Sequence, residues 1–263
     1  METITSAPET PSAIQQQRLQ FVLQLADTSL VLGHRLSEWC GHGPVLEQDI
    51  AMANIGLDLL GQARSYYQYA AELESLGRTE DDLAFLRAAT EYRNPLLVEQ
   101  PNGDFAATVL RQFLFDSYHL PFLEALRAGP DEKLAAIAEK SAKEAAYHRQ
   151  WSAEWVIRLG DGTPESRRRL DAALRNLWRY TVELTTPTPA EAALADLGLA
   201  PNLDDVRALQ QAHIAEVFTE ATVPLPAAGV AQKGGKTGRH SEHLGYLLAE
   251  LQYMQRAYPE LKW

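Results

Sequence analysis

The chain is poor in the residues on which several protein classes depend. It carries one cysteine, Cys40, in 263 residues. No intramolecular disulfide can form, which excludes a small disulfide-held secreted fold, and a cysteine-based zinc cluster is excluded with it. Cys40 sits in Trp39-Cys40-Gly41-His42, at a predicted helix end. A buried packing role is expected for it rather than a nucleophilic one, because free cysteine is among the most buried residue types. Basic charge is also scarce: 24 Lys and Arg stand against 35 Asp and Glu, a net charge of -11. That balance argues against a nucleic-acid binder, which would need a basic face to meet phosphates. Long hydrophobic runs are missing too. Phe21 to Gly33 is broken by Gln24 and Asp27, and a membrane span takes about twenty apolar residues. Met1 to Ser12 is polar, contains Pro8 and Pro11, and lacks the basic start and apolar run of a signal peptide. Residues 1–13 therefore read as a disordered tail ahead of one helical domain spanning 14–263, in a soluble, cytoplasmic protein without a membrane partner.

What is present is helical periodicity. Val22, Ala26, Leu30 and Gly33 recur at three- and four-residue steps within Ile14 to Cys40, so they share one helix face. Gly41-His42-Gly43-Pro44 stops that helix. Ile50, Ala53, Leu57, Leu60, Ala63, Tyr67 and Ala71 repeat the pattern up to Gly77. A shorter helix is predicted over Leu83 to Tyr92. Two more long helices follow, from Asp104 to Arg127 and from Asp131 to Leu159, closed by Gly129-Pro130 and Gly160-Asp161-Gly162. Helices approaching thirty residues are about 40 Å long, and tight stops between them make antiparallel neighbours. The expected fold is all-α, a four-helix bundle. Pro187, Pro189, Pro201, Pro224 and Pro226 then punctuate shorter helices over Pro164–Leu184, Pro189–Leu197, Asp204–Thr222 and His240–Ala257. These extend the bundle. No segment alternates with period two.

Bundles of this size often hold two irons, liganded by a Glu from each of two helices and a Glu-x-x-His pair from each of the others. The spacing places both side chains on one face. None of the seven histidines here has a Glu three residues before it. Asp116-Ser117-Tyr118-His119 is a weaker relative of the motif, and Glu144 with His148 has a spacing of four. The second helix aligns Asn54, Asp58 and Gln62 but has no histidine. Asp116, His119, Glu144 and His148 are thus candidates for a vestigial metal site only. No catalytic, cofactor-binding or metal-ligating residue is assigned. The alternative is a hydrogen-bonded polar network, with Arg35, Arg64 or Lys143 replacing the metal charge, since buried ions need partners. A self-sufficient metal oxidase using the four candidates stays as a rival reading.

Lys233-Gly234-Gly235-Lys236-Thr237-Gly238-Arg239-His240 has the look of a phosphate loop. A P-loop needs a glycine where Val230 stands, and no central strand precedes it. A surface loop, or one contacting a partner or a phosphate-bearing ligand, is expected instead. His240-Ser241-Glu242-His243 reads as a helix start. No Gly-x-Ser-x-Gly elbow occurs.

Several blocks carry a family resemblance: Leu32 to Glu74, NPLLVEQPNGDFA (Asn94–Ala106), KEAAYH (Lys143–His148), LWRYT (Leu177–Thr181) and GGKTGRHSEHLGYLLAELQYMQR (Gly234–Arg256). The match runs from about residue 14 to Trp263, and the chain resembles the C-type subunits of the bacterial phenylacetyl-CoA epoxidase. The resemblance implies a ferritin-like fold and a structural, non-catalytic role in aerobic phenylacetate catabolism. It implies as partner a catalytic paralogue, whose di-iron centre activates dioxygen and forms the ring-1,2-epoxide. Small and reductase subunits would complete the system, with NADPH, FAD and iron–sulfur cofactors in the reductase and none in this chain.

Overall fold

The computed structural model describes residues 12–227 and 229–259, and among these there are helices and no strands. Four long helices make the bundle: α1 (Ala13–Ser37), α2 (Leu46–Glu74), α5 (Phe105–Leu126) and α6 (Glu132–Gly160). Short helices α3 (Glu80–Phe85) and α4 (Leu96–Glu99) lie in the crossover between the two hairpins. Then come α7 (Pro164–Leu177), α8 (Thr181–Leu184), α9 (Pro189–Asp196), α10 (Leu203–Glu220), α11 (Glu242–Leu251) and α12 (Tyr253–Ala257). This is the all-α bundle with C-terminal additions that the periodicity predicts, and the ferritin-like fold that the resemblance implies.

Several helix starts have a local cause. Ser12 accepts from the Gln15 N–H while the Gln15 side chain reaches back, a reciprocal cap on α1. Asp104 and Asp131 cap α5 and α6, and Thr163 and Thr188 precede Pro164 and Pro189 at the first turns of α7 and α9. Helices α1 and α2 cross closely at Gly33 and Gly56, where a Cβ on Gly33 would lie 3.1 Å from the Gly56 carbonyl oxygen. Only glycine allows that spacing without displacing a backbone.

Helix α5 is buried around nearly its whole circumference, with Arg111, Gln112, Asp116, Ser117 and His119 buried alongside its apolar residues. A helix enclosed on all sides is the axis of a core rather than a wall of it. It packs against α6, α7 and α10, and Phe122 meets Phe21 of α1.

The tail read over residues 1–13 lies, as far as residue 11, outside the described residues; Ser12 and Ala13 are the cap and first residue of α1. Other expectations need correction. Cys40 is exposed, because α1 ends at Ser37 and the cysteine falls in the following turn, beyond the packed face. The helix expected over Leu83–Tyr92 is instead the end of α3 and a separate 3-10 turn, Ala89–Glu91. Pro164–Leu184 is interrupted by a 3-10 turn at Trp178–Tyr180. The last helix starts at Glu242 and breaks at Gln252, whose buried side chain donates to the Arg87 carbonyl at 3.0 Å and the Tyr92 hydroxyl at 3.1 Å.

Three buried glutamates join the C-terminal segment to the rest. Glu99, Glu183 and Glu191 are at most 2% exposed. Glu183 accepts from the backbone N–H of Leu96 at 2.6 Å and of Gly234 at 2.7 Å. Glu191 meets the Lys236 ammonium at 2.8 Å and the Gln24 amide at 2.8 Å. Glu99 accepts from the Ser241 N–H at 2.6 Å and pairs with His240 Nδ1 at 2.8 Å. The Gly-rich segment is therefore an internal clamp: a Cβ on Gly235 would sit 2.3 Å from the Asn94 carbonyl oxygen. The Lys236 ammonium, also bonded to the Thr186 carbonyl, is not offered to an outside phosphate.

His240 has an acceptor on each ring nitrogen, Glu99 on Nδ1 and the Tyr92 carbonyl at 3.0 Å on Nε2. Satisfying both takes two N–H donors, which only the imidazolium has. Burial alone would lower its pKa, but the Glu99 carboxylate and the Tyr92 carbonyl outweigh burial and raise it above 6.5. A raised imidazole contributes stability that is fully present below the unfolded pKa and lost as pH climbs through the folded one. His240→Gln should therefore be destabilising near pH 6, with the difference from the parent shrinking as pH rises past the folded pKa. Urea unfolding at a series of pH values measures this; a difference that stays constant contradicts the doubly protonated ring.

Candidate functional site

The four sequence candidates lie on the two helices of one hairpin. Helix α5 supplies Asp116 and His119, α6 supplies Glu144 and His148, and α2 brings Asp58 and Gln62 to the same flank of α6. The structure joins them in separate hydrogen-bonded groups. His148 Nε2 lies 2.9 Å from Asp58 Oδ2. Glu144 accepts from the Gln62 amide at 3.0 Å, with Lys140 Nζ at 3.6 Å. Asp116 is bonded by Gln112 Nε2 at 2.8 Å and Ser152 Oγ at 2.9 Å. His119 packs its ring on Phe115, centroids 4.7 Å apart.

Burial sets the charge state of this region. Asp116 is fully enclosed, and desolvation pushes its carboxyl up to about 8 against the opposing pull of Ser152, Gln112 and Arg149. Burial, with His148 nearby, pushes His119 down to about 3. His148 is likewise lowered by burial, although Asp58 pulls the other way. At neutral pH Asp116 is mostly protonated and His119 uncharged. Seating a metal requires deprotonated carboxylates and a convergent set of donors. Among the described residues no group of three or more His, Cys, Asp or Glu side chains is placed to hold a metal ion. The four candidates do not fit a pair of irons. Gln62 Oε1, Gln112 Oε1, His119 Nδ1 and His148 Nδ1 are buried with no hydrogen-bond partner among the described residues. Each such group costs about 1–3 kcal/mol.

The cations proposed as substitutes for metal charge sit elsewhere. Arg35 bonds the Glu99 carbonyl at 2.9 Å and Glu38 at 2.8 Å. Arg64 and Lys143 are exposed, near Glu80 at 3.4 Å and Glu139 at 3.8 Å. Neutral donors, not cations, satisfy the Asp116 carboxyl. Sequence reading also missed a second buried cluster. Asp27, at 0% exposure, forms an ion pair with Arg87, accepts from the Tyr67 hydroxyl at 2.6 Å and from the Arg93 N–H at 2.8 Å. Arg87 lies over the Tyr92 ring at 4.4 Å. The signal for it was an aspartate inside the apolar run Phe21 to Gly33.

The Asp116 carboxyl leads to a test. Raised from its ordinary 3.8 to about 8, it disfavours folding progressively between those values, because the unfolded chain has ionised and the folded one has not. An asparagine can reproduce the protonated pattern, donating to Ser152 and accepting from Gln112. Asp116→Asn should be near neutral around pH 4 and gain over the parent by up to about 1.4 kcal/mol per pH unit above that, levelling off near the folded pKa. Equilibrium unfolding of both proteins between these limits checks it, and a gain that does not grow with pH refutes it.

The family model described as "Phenylacetic acid catabolic protein" matches residues 1–263. The curated C-type subunit of the 1,2-phenylacetyl-CoA epoxidase of Escherichia coli (strain K12) is 47% identical over 247 residues, covering 94% of this chain and 99% of that protein. A family match over the full chain, with a relative 47% identical over 94% of it, leaves one assignment: the chain belongs to the phenylacetic acid catabolic protein family.

Proposed function

We propose that this chain is a structural subunit of a multicomponent phenylacetyl-CoA 1,2-epoxidase, without an active site of its own. It pairs with a catalytic paralogue that holds the di-iron centre. The observation that carries the reading is that Asp116 is bonded only by an amide and a hydroxyl, with its neighbours tied in separate pairs. The relative from Escherichia coli, named as a subunit of the epoxidase, supplies the reaction and the expectation of partners. In this reading NADPH, FAD and iron–sulfur chemistry belong to the reductase, a further small protein completes the complex, and the assembly works in the cytoplasm. Among the described residues no helix is long and apolar enough to cross a membrane.

The surface has a face suited to a helical partner. Leu46, Ile50 and Leu57 of α2 are 71%, 51% and 65% exposed and lie in one stripe at helical spacing. A Cβ added to Gly61, one turn further on, would meet nothing within 4 Å, so another backbone can approach there. Burying large aliphatic side chains contributes roughly 1.5–3 kcal/mol each.

Co-expression with the catalytic paralogue, followed by affinity capture and iron counting, tests the proposal. The two chains should co-purify, and iron should track the partner while this chain alone holds far less than the two iron atoms of a di-iron site. Leu57→Arg should lower capture by about tenfold or more, with helix content unchanged. A di-iron complement on the isolated chain, or substrate turnover by it, would favour the self-sufficient oxidase instead. Capture indifferent to Leu57→Arg would remove α2 as the docking face.

A further inference from the structure

An open cleft lies away from the bundle centre, between α7 with its 3-10 extension and the segment after α10. It has a volume of about 660 Å³ and is lined by Leu174, Arg175, Trp178, Arg179, Pro224 and Gln232, among others. A volume in the range of about 300–1,000 Å³ suits a small organic ligand. The far wall is tied down beside the helices: the Val223 N–H donates to the Phe218 carbonyl and the Gln232 N–H to the Arg179 carbonyl, both at 2.8 Å.

The charge pattern along α7 singles the cleft out. Arg167 pairs with Asp171 at 2.9 Å, Arg168 with Glu165 at 2.8 Å and Arg169 with Glu165 at 2.7 Å. Arg175 and Arg179 make no ion pair among the described residues, although the chain carries a net charge of -11. Arg175 near the end of α7 and Arg179 in the 3-10 turn that follows both line the cleft, and two like charges sharing it repel unless an anion meets them. Guanidinium groups suit phosphate oxygens through paired, charge-assisted hydrogen bonds. Trp178 lies between them in sequence and is half-buried. Its ring is steadied by Phe218, centroids 6.2 Å apart. With Leu174, Pro224 and Leu225 it gives the cleft an apolar side against which a flat ring can lie.

We propose that this cleft binds a ligand of the nucleoside diphosphate class, with Arg175 and Arg179 holding two linked phosphates and the base resting against Trp178. The inference goes beyond the structural-subunit reading and stands or falls separately from it. Lys236 of the P-loop-like segment has no part in it, since that ammonium is buried against Glu191.

Isothermal titration of the full-length chain with ADP, inorganic pyrophosphate and adenosine tests the assignment. ADP should bind saturably and more tightly than either fragment. The double variant Arg175→Ala/Arg179→Ala should weaken ADP by about tenfold or more. The double variant Arg168→Ala/Arg169→Ala removes the same charge from the same helix and should change affinity by no more than about twofold. All four positions are exposed, and circular dichroism confirms that the variants fold. Absence of saturable ADP binding up to about 5 mM, or an equal loss in both double variants, overturns the site. Pyrophosphate binding as tightly as ADP overturns the role given to the Trp178 side.

Discussion

Burying a carboxylate in this bundle requires donors, and the kind of donor available decides whether the group keeps its charge. Asp27 meets the Arg87 guanidinium, a tyrosine hydroxyl and a backbone N–H. Glu191 meets an ammonium, Glu99 a histidine already committed to a second acceptor, and Glu183 a set of backbone N–H groups. Asp116 has only an amide and a hydroxyl, and burial drives a proton onto it. Four charged clusters thus surround the crossover and the C-terminal clamp, while the heart of the α5–α6 hairpin is neutral.

That division organises the rest of the molecule. The charged clusters do long-range joining. Glu183 ties α8 to α4 and to the Gly-rich segment, Glu191 ties α9 to α1 and Lys236, and Glu99 ties α4 to the entrance of α11. Ordering a segment of such irregular backbone is entropically expensive, and its N–H groups must find acceptors. The glutamates supply those acceptors at sites where no helix ladder can. Arg111, enclosed within α5, does the converse, donating to the Gln100 carbonyl and to Asn102 and so fixing the approach to its own helix.

Much of the architecture was legible in the sequence, and the reasons the rest was not are specific. Long helices announce themselves because apolar residues recur at a fixed step and Gly or Pro ends the run. Periodicity marks one face, so it could not show that α5 is buried on all sides. The breaks at Trp178–Tyr180 and Gln252 come from tertiary bonds rather than helix-breaking residues. The candidate residues Asp116, His119, Glu144 and His148 were found by spacing along single helices. Their actual partners, Asp58 to His148 and Ser152 to Asp116, depend on inter-helix register or on which face turns inward, and neither is written in local spacing. A basic, glycine-rich run reads as a mobile loop; that Gly235 exists to admit the Asn94 carbonyl is visible only once the two segments are seen in contact.

A ferritin-like bundle that holds metal uses the cations to cancel converging carboxylates. Here the Asp116 carboxyl meets the Gln112 amide and the Ser152 hydroxyl, and Glu144 meets the Gln62 amide. The network is incomplete, since four polar atoms within it have no partner among the described residues. A wholly apolar centre would be more stable, as replacements of buried polar groups by well-packed hydrophobic ones show in other proteins. Maximal stability of the lone chain is not what this centre delivers. The close crossing of α1 and α2 at Gly33 and Gly56 fixes the position of α2 from its other side, so its outward stripe of Leu46, Ile50 and Leu57 is held on a rigid helix. Association through that stripe would add the apolar burial that the neutral centre forgoes, which makes the pairing proposed for this chain a source of its own stability as well as its partner's.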